Sequence, residues 1–131
     1  MRLLLDTHVL LWALENESRL GLGARVAIAD SRNAVWVSIA SAWEIAIKTG
    51  IGRLELDGAL EEIFPTEIAR AGFRLLSISL GHALAVRTLP HHHRDPFDRV
   101  LISQTRAEGL TLVTADRAFA AYHVMTMDAT K

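Results

Sequence analysis

The sequence predicts an α/β fold, a three-layer α/β/α arrangement around a mainly parallel central sheet. Two observations carry this expectation. Short apolar runs alternate along the chain with longer stretches of helical spacing, the pattern of repeated βαβ units. No internal repeat, low-complexity run or linker interrupts them, and 131 residues suit one domain, so residues 1–131 are read as a single unit.

The elements follow in order. "RLLL" (2–5) is a short buried strand ending at Asp6. "THVLLWALENE" (7–17) is a helix apolar almost all round, so it is expected to be covered on more than one side. "GARVAIADSR" (23–32) is a second helix and "AVWVS" (34–38) a second strand. "IASAWEIAIKTG" (39–50) has helical length, with Gly50 as its stop. "GALEEIF" and "PTEIARAG" are two short helical pieces broken at Pro65. "FRLLSIS" (73–79) is a third strand and "LGHALAVRTL" (80–89) a helix. "HHHRD" is a loop, and a helix runs from Pro96 to about Glu108, with Pro96 at a favoured first position. "LTLVT" (110–114), "DRAFAAY" and "HVMTM" (123–127) complete the chain as strand, short helix and strand. Trp12, Trp36 and Trp43 are expected in the core, and His8 behind the first strand.

The bulk numbers exclude several functions. There is no cysteine, so disulfides and thiolate metal sites are ruled out. The formal charge is −1, so no global field draws in nucleic acid. A polyanionic partner must be met by local cations or by metal ions. "AVWVSIASAW" is about half the roughly 20 apolar residues of a membrane span. Asp6, Thr7 and His8 interrupt the apolar N-terminus, and no small-residue cleavage site follows; no membrane association and a cytoplasmic location are expected. Half the residues are hydrophobic, which suits either a large core or an additional surface for a partner or second copy.

In open parallel sheets, sites form at the carboxyl ends of the strands. Asp6 ends the first strand, and Asp116 lies two residues beyond the fourth. Glu44 stands in the first turns of a helix leaving the sheet, flanked by Ala42, Trp43, Ile45, Ala46 and Ile47. A carboxylate on so apolar a helix is costly to bury unless something pairs with it. Asp98 lies in the first turn of the helix after the histidine run. Each acid also has a plain structural use: Asp6, Asp95 and Asp116 as helix caps, Asp98 as a favourable charge near a helix start, Glu44 as an exposed helix residue. Taken together, Asp6, Glu44, Asp98 and Asp116 fall at one end of the sheet. Carboxylates that crowd together cannot all stay ionised without a cation. With oxygen ligands only, Mg2+ or Mn2+ is the natural cofactor.

"LLLDTHVLLW", "VSIASAWEIAIK", "HRDPFDRVLISQT" and "LTLVTADRAF" resemble the motifs of PIN-domain proteins, most closely the VapC-type toxins of bacterial toxin–antitoxin pairs. The resemblance runs nearly the whole chain, in order. It implies a compact α/β/α fold and Mg2+- or Mn2+-dependent cleavage of RNA. By match to the motifs, Asp6, Glu44, Asp98 and Asp116 are the implied metal-binding catalytic acids. Thr7 and Thr114 match hydroxyl positions beside them. Asp95 is left as the residue that starts its helix. The implied partners are an RNA substrate and a VapB-like antitoxin, and a homodimer is expected.

Arg94, Arg99 and Arg117 are candidates for RNA phosphates, as are Lys48, Arg53 and Arg87, against the plain reading of surface charge. Three consecutive rings, His91, His92 and His93, cannot easily face one ion and are expected in a solvated loop beside the site. Two alternatives compete. A receiver-like phosphoacceptor domain wants paired acids after the first strand and a lysine after the last, whereas Asp6 stands alone and the only late lysine is Lys131. A non-catalytic metal- or protein-binding module would use the acids only as caps.

Overall fold

The computed structural model describes all 131 residues. Five strands form one sheet: β1 (Arg2–Leu5), β2 (Ala34–Ser38), β3 (Arg74–Leu76), β4 (Thr111–Thr114) and β5 (Thr126–Asp128). Their order is β3-β2-β1-β4-β5, and every pairing is parallel. The sheet is thus wholly parallel rather than mainly so. The chain steps outward from β1 to β3, then returns to β4 on the other side of β1. The switch point, where ligand crevices form in such sheets, lies between β1 and β4.

Side chains alternate faces along each strand, and both faces are apolar. Leu3, Leu5, Val35, Val37 and Val113 belong to one core, with Val9 and Leu10 of α1 (Thr7–Glu15), Ala24 of α2 (Leu22–Ala29) and Ile45 of α3 (Ile39–Gly50). Leu4 and Leu112 belong to the other core, with Leu101 and Ile102 of α6 (Pro96–Glu108), while α4 (Ile68–Arg70) gives Ile68 to the first core and α5 (Leu80–Ala85) packs against α6. Phe119 and Tyr122, from the 3-10 turns Arg117–Tyr122, complete that second core. This double burial makes the strands continuously apolar.

The helix boundaries have local causes. Ser38 caps α3, its hydroxyl accepting from Ala40 N–H at 3.0 Å. α3 ends at Gly50, as expected, and the left-handed turn follows at Gly52, with φ of 74°. α1 ends two residues early, at Asn16 in the left-handed region, and α2 spans Leu22–Ala29 rather than 23–32. The break expected at Pro65 is present: Phe64 leaves helical geometry within the wide turn Glu62–Glu67. β3 keeps only three of the seven residues expected, and β5 begins three residues later than expected, after His123 turns left-handed. Glycine is required where the chain end meets α2. A Cβ on Gly21 would lie 2.4 Å from the Lys131 backbone carbon.

Of the tryptophans expected in the core, Trp12 and Trp36 pack against its two halves and Trp43 does not. Trp43 is 57% exposed, and Trp12 and Trp36 are half-buried. Trp43 packs edge-on against Phe97, with ring centroids 5.0 Å apart. No helix is long and apolar enough to cross a membrane.

Candidate active site

A cavity of about 320 Å³ opens at the carboxyl ends of β1 and β4. Asp6, Glu44, Asp95, Asp98 and Asp116 line it, and Lys48 is its only lysine or arginine. The four acids singled out in the sequence therefore do reach one pocket, and Asp95 joins them. Asp95 also caps α6 as expected, accepting from Phe97 N–H at 2.8 Å. Cap and pocket wall are two uses of one side chain.

Asp6 is buried and held by two donors. Thr7 N–H reaches Oδ1 at 2.8 Å, and the Thr114 hydroxyl reaches Oδ2 at 2.7 Å. Burial raises its carboxyl above the usual range, against those hydrogen bonds and with help from the negative Glu44. Thr114 has a second bond, since its hydroxyl oxygen accepts from Asp116 N–H at 3.0 Å. One threonine thus ties the end of β1 to the residue that follows β4. Thr7 donates its hydroxyl to Ser41 on α3 at 2.9 Å.

Glu44 is 3% exposed, which overturns the reading of an exposed helix residue. Its Oε2 pairs with Lys48 one turn on. Its Oε1 is sealed from solvent without any hydrogen-bond partner. A buried carboxylate oxygen left unpaired costs on the order of 1–3 kcal/mol. Lys48 is held above the usual lysine range by that bond, and further by the fields of Asp95 and Asp98.

Asp98 is pushed up to about 7 by burial first, then by the negative charges of Asp95, Asp6 and Glu44. Asp116 behaves oppositely. Burial raises it, but bonds from the His93 ring and from Ala118 N–H hold it below the usual carboxylate range. As they stand, no three His, Asp or Glu side chains are arranged to hold one ion directly. Glu44 is engaged with Lys48 and Asp116 with His93, so two acids rest on protein cations or donors. The donor set is all oxygen, and the unpaired Glu44 oxygen and the protonation-prone Asp98 mark a deficit of positive charge. Those residues fit a divalent ion.

Three expectations need correction. Arg99 is not free to meet RNA: it is 8% exposed, and its guanidinium donates to the carbonyls of Pro90, Val86 and Leu89. It anchors the loop before α6. His8 is not behind β1; it is exposed and lines the acidic cavity. His93 is not solvated. Its side chain is 8% exposed, stacks on Phe119 at 4.6 Å, and bonds Tyr122 and Asp116. His91, His92, Arg94 and Arg117 are exposed. Sequence reasoning also missed the Ser38–Gln104 bond, at 2.6 Å between fully buried side chains. Only the position of Ser38 at a helix start hinted at its role, and nothing in the sequence marks Gln104.

The PIN domain profile matches residues 3–124, and the chain belongs to the PIN domain family. PIN domains are generally nucleases. The fold is similar to that of a chain in the crystal structure of VapBC2 from Rickettsia felis bound to a DNA fragment from its promoter. That likeness has 16% identity and a TM-score of 0.71, over 97% of this chain and 98% of the other. A chain of FitAB bound to the IR36 DNA fragment is similar at 18% identity and a TM-score of 0.72, over 98% and 96%. A chain of FitAcB from Neisseria gonorrhoeae is similar at 23% identity and a TM-score of 0.65, over 97% of each. No curated protein matches the chain by sequence.

Proposed function

We propose that this chain is a divalent-metal-dependent ribonuclease, the toxin half of a type II toxin–antitoxin pair. The observation that carries the reading is the pocket. Five carboxylates share it with one lysine, and the buried Glu44 Oε1 has no partner. Asp6, Glu44, Asp98 and Asp116 would hold Mg2+ or Mn2+. When bound, the cation supplies positive charge for the phosphodiester oxygens and activates water for attack. Asp6 is kept in place by Thr7 N–H and the Thr114 hydroxyl, and Thr7 in turn by Ser41. Lys48 offers the pocket's ammonium to a substrate phosphate. Arg94 and Arg117, both exposed, extend that contact along the backbone of an RNA.

RNA is the substrate that the sequence resemblance implies. The similar VapBC2 and FitAB structures contain DNA. In an assembly of that kind a VapB-like antitoxin would carry the DNA contact. Apolar surface for such a partner, or for a homodimer, is present. Ile39, Trp43, Ile47 and Ile51 are exposed at steps of four along and just beyond α3, and Leu80 and Leu84 on α5.

Incubation of the purified protein with total RNA, with Mg2+ and then with EDTA, tests the reading. Cleavage that needs Mg2+, stops with EDTA and falls at least about 100-fold in Asp98→Asn supports it. Cleavage that survives EDTA, or equal activity in Asp98→Asn, contradicts it. Loss of activity in Asp95→Asn alone would move the third acid to Asp95.

A further inference from the structure

We propose that His93 is a positioning residue that orients Asp116 toward the pocket, with its tautomer fixed by Tyr122. The proposal rests on the metal-binding reading of Asp116. The Tyr122 hydroxyl oxygen accepts from His93 backbone N–H at 2.7 Å and stands 3.0 Å from His93 Nδ1. Tyr122 is fully buried, and its hydroxyl has no other hydrogen-bond partner. Its one proton therefore points at Nδ1, which makes Nδ1 an acceptor. The remaining ring proton sits on Nε2 and is donated to Asp116 Oδ2 at 2.9 Å.

The ring has no freedom to abandon this arrangement. It lies stacked on Phe119, 27° from coplanar, and its own backbone is tied to Tyr122. Asp116 Oδ1 accepts from Ala118 N–H at 2.9 Å. Each Asp116 oxygen thus has one protein donor and keeps one acceptor site. The Asp116 side chain is 46% exposed, yet both its oxygens are held by protein donors. Tyr122, His93, Asp116, Thr114 and Asp6 form one hydrogen-bonded chain that spans the switch point between β1 and β4. An outer donor of this kind sets the direction of a ligating carboxylate and is felt in metal affinity.

Two measurements test it. Long-range 15N–1H spectra of the metal-free protein read the His93 tautomer directly. The expected result is Nε2–H, with the Nε2 shift moving in Asp116→Asn and a mixture of tautomers in Tyr122→Phe. Calorimetric titration with Mn2+ alone compares two variants that both lose the stack on Phe119. His93→Gln retains a donor near the Nε2 position, and His93→Asn does not. Mn2+ affinity is expected to stay within about threefold of wild type in the first and to weaken about 10–100-fold in the second. An Nδ1–H tautomer, or equal Mn2+ affinity in the two variants, overturns the proposal. If the wild type binds no Mn2+, the nuclease reading falls, and the tautomer together with its response to Asp116→Asn alone decides whether His93 orients that acid.

Discussion

Asp98 links the pocket to stability through its proton. Its folded value of about 7 lies above the ordinary 3.8. Between those values the folded protein holds a proton that the unfolded chain has released. The stability contributed is therefore complete below pH 4 and is lost as pH rises toward 7. Asp98→Asn removes the charge that causes the loss. In metal-free protein at pH 7.5 the substitution is expected to stabilise by on the order of 1 kcal/mol, discounted for the half-open pocket. That corresponds to a Tm gain of roughly 3–5 °C, and at pH 4 the two proteins should melt together. A Tm difference that is independent of pH would show that the Asp98 charge is not the cause. Arg99 has the opposite signature. Arg99→Met removes the donors to three carbonyls, of which only that of Leu89 belongs to a buried residue, and should cost about 1–2 kcal/mol, while the salt dependence of RNA binding stays that of wild type. A flatter salt dependence would return Arg99 to the RNA surface. Glu44 was legible because its helix neighbours are apolar, and Asp6, Asp98 and Asp116 because they stand at strand ends or a helix start and in motifs that resemble those of PIN domains. Arg99 was not legible, because a guanidinium in a charged loop looks alike whether it faces solvent or folds back onto carbonyls.

At the scale of elements, the pocket depends on how α3 and α6 are joined. Ser38 caps α3 and at the same time donates its hydroxyl to Gln104 of α6 at 2.6 Å, and Gln104 donates to Ser77 O at 3.3 Å. This joint sets the helix carrying Glu44 against the helix carrying Asp98. Ser38→Ala removes a cap, worth about 1 kcal/mol, and leaves Gln104 Oε1 buried and unpaired, worth a further 1–3 kcal/mol. Urea unfolding should show a loss of about 2–4 kcal/mol. Gln104→Leu in the Ser38→Ala background should recover part of it, since no buried Oε1 is then left unpaired, and the Ser77 carbonyl that loses its donor lies on an exposed residue. A double variant no better than Ser38→Ala would mean that the joint is not a paired hydrogen bond energetically. Helix positions were readable from apolar spacing and from Pro96, and α3 and α6 fall where the sequence places them. The short pieces were less readable. β3 and β5 are edge strands of three residues each, and their ends are set by pairing to one neighbour rather than by local propensity.

At the scale of the molecule, the alternation of strands and helices determined the fold class, because a parallel strand pair needs a crossover between its members. The order of strands was not legible, since periodicity says nothing of which strand lies next to which. That order is what brings Asp6 and Asp116 to neighbouring strand ends. The apolar surplus in the composition is partly resolved by exposure: Leu80 is 75% and Leu84 59% exposed, more open than an apolar helix face usually stays in a monomer. Sedimentation velocity is expected to show a dimer that Leu80→Glu with Leu84→Glu converts to monomer. A wild-type monomer at all concentrations would leave that face to another partner. Carboxylates from distant parts of the chain share one pocket, and the proposed nuclease chemistry requires a divalent ion in it. An anomalous difference map from crystals grown with Mn2+ tests it most directly. A peak among Asp6, Glu44, Asp98 and Asp116 is expected. A map without density there, with Glu44 still on Lys48 and Asp98 turned to solvent, would contradict it.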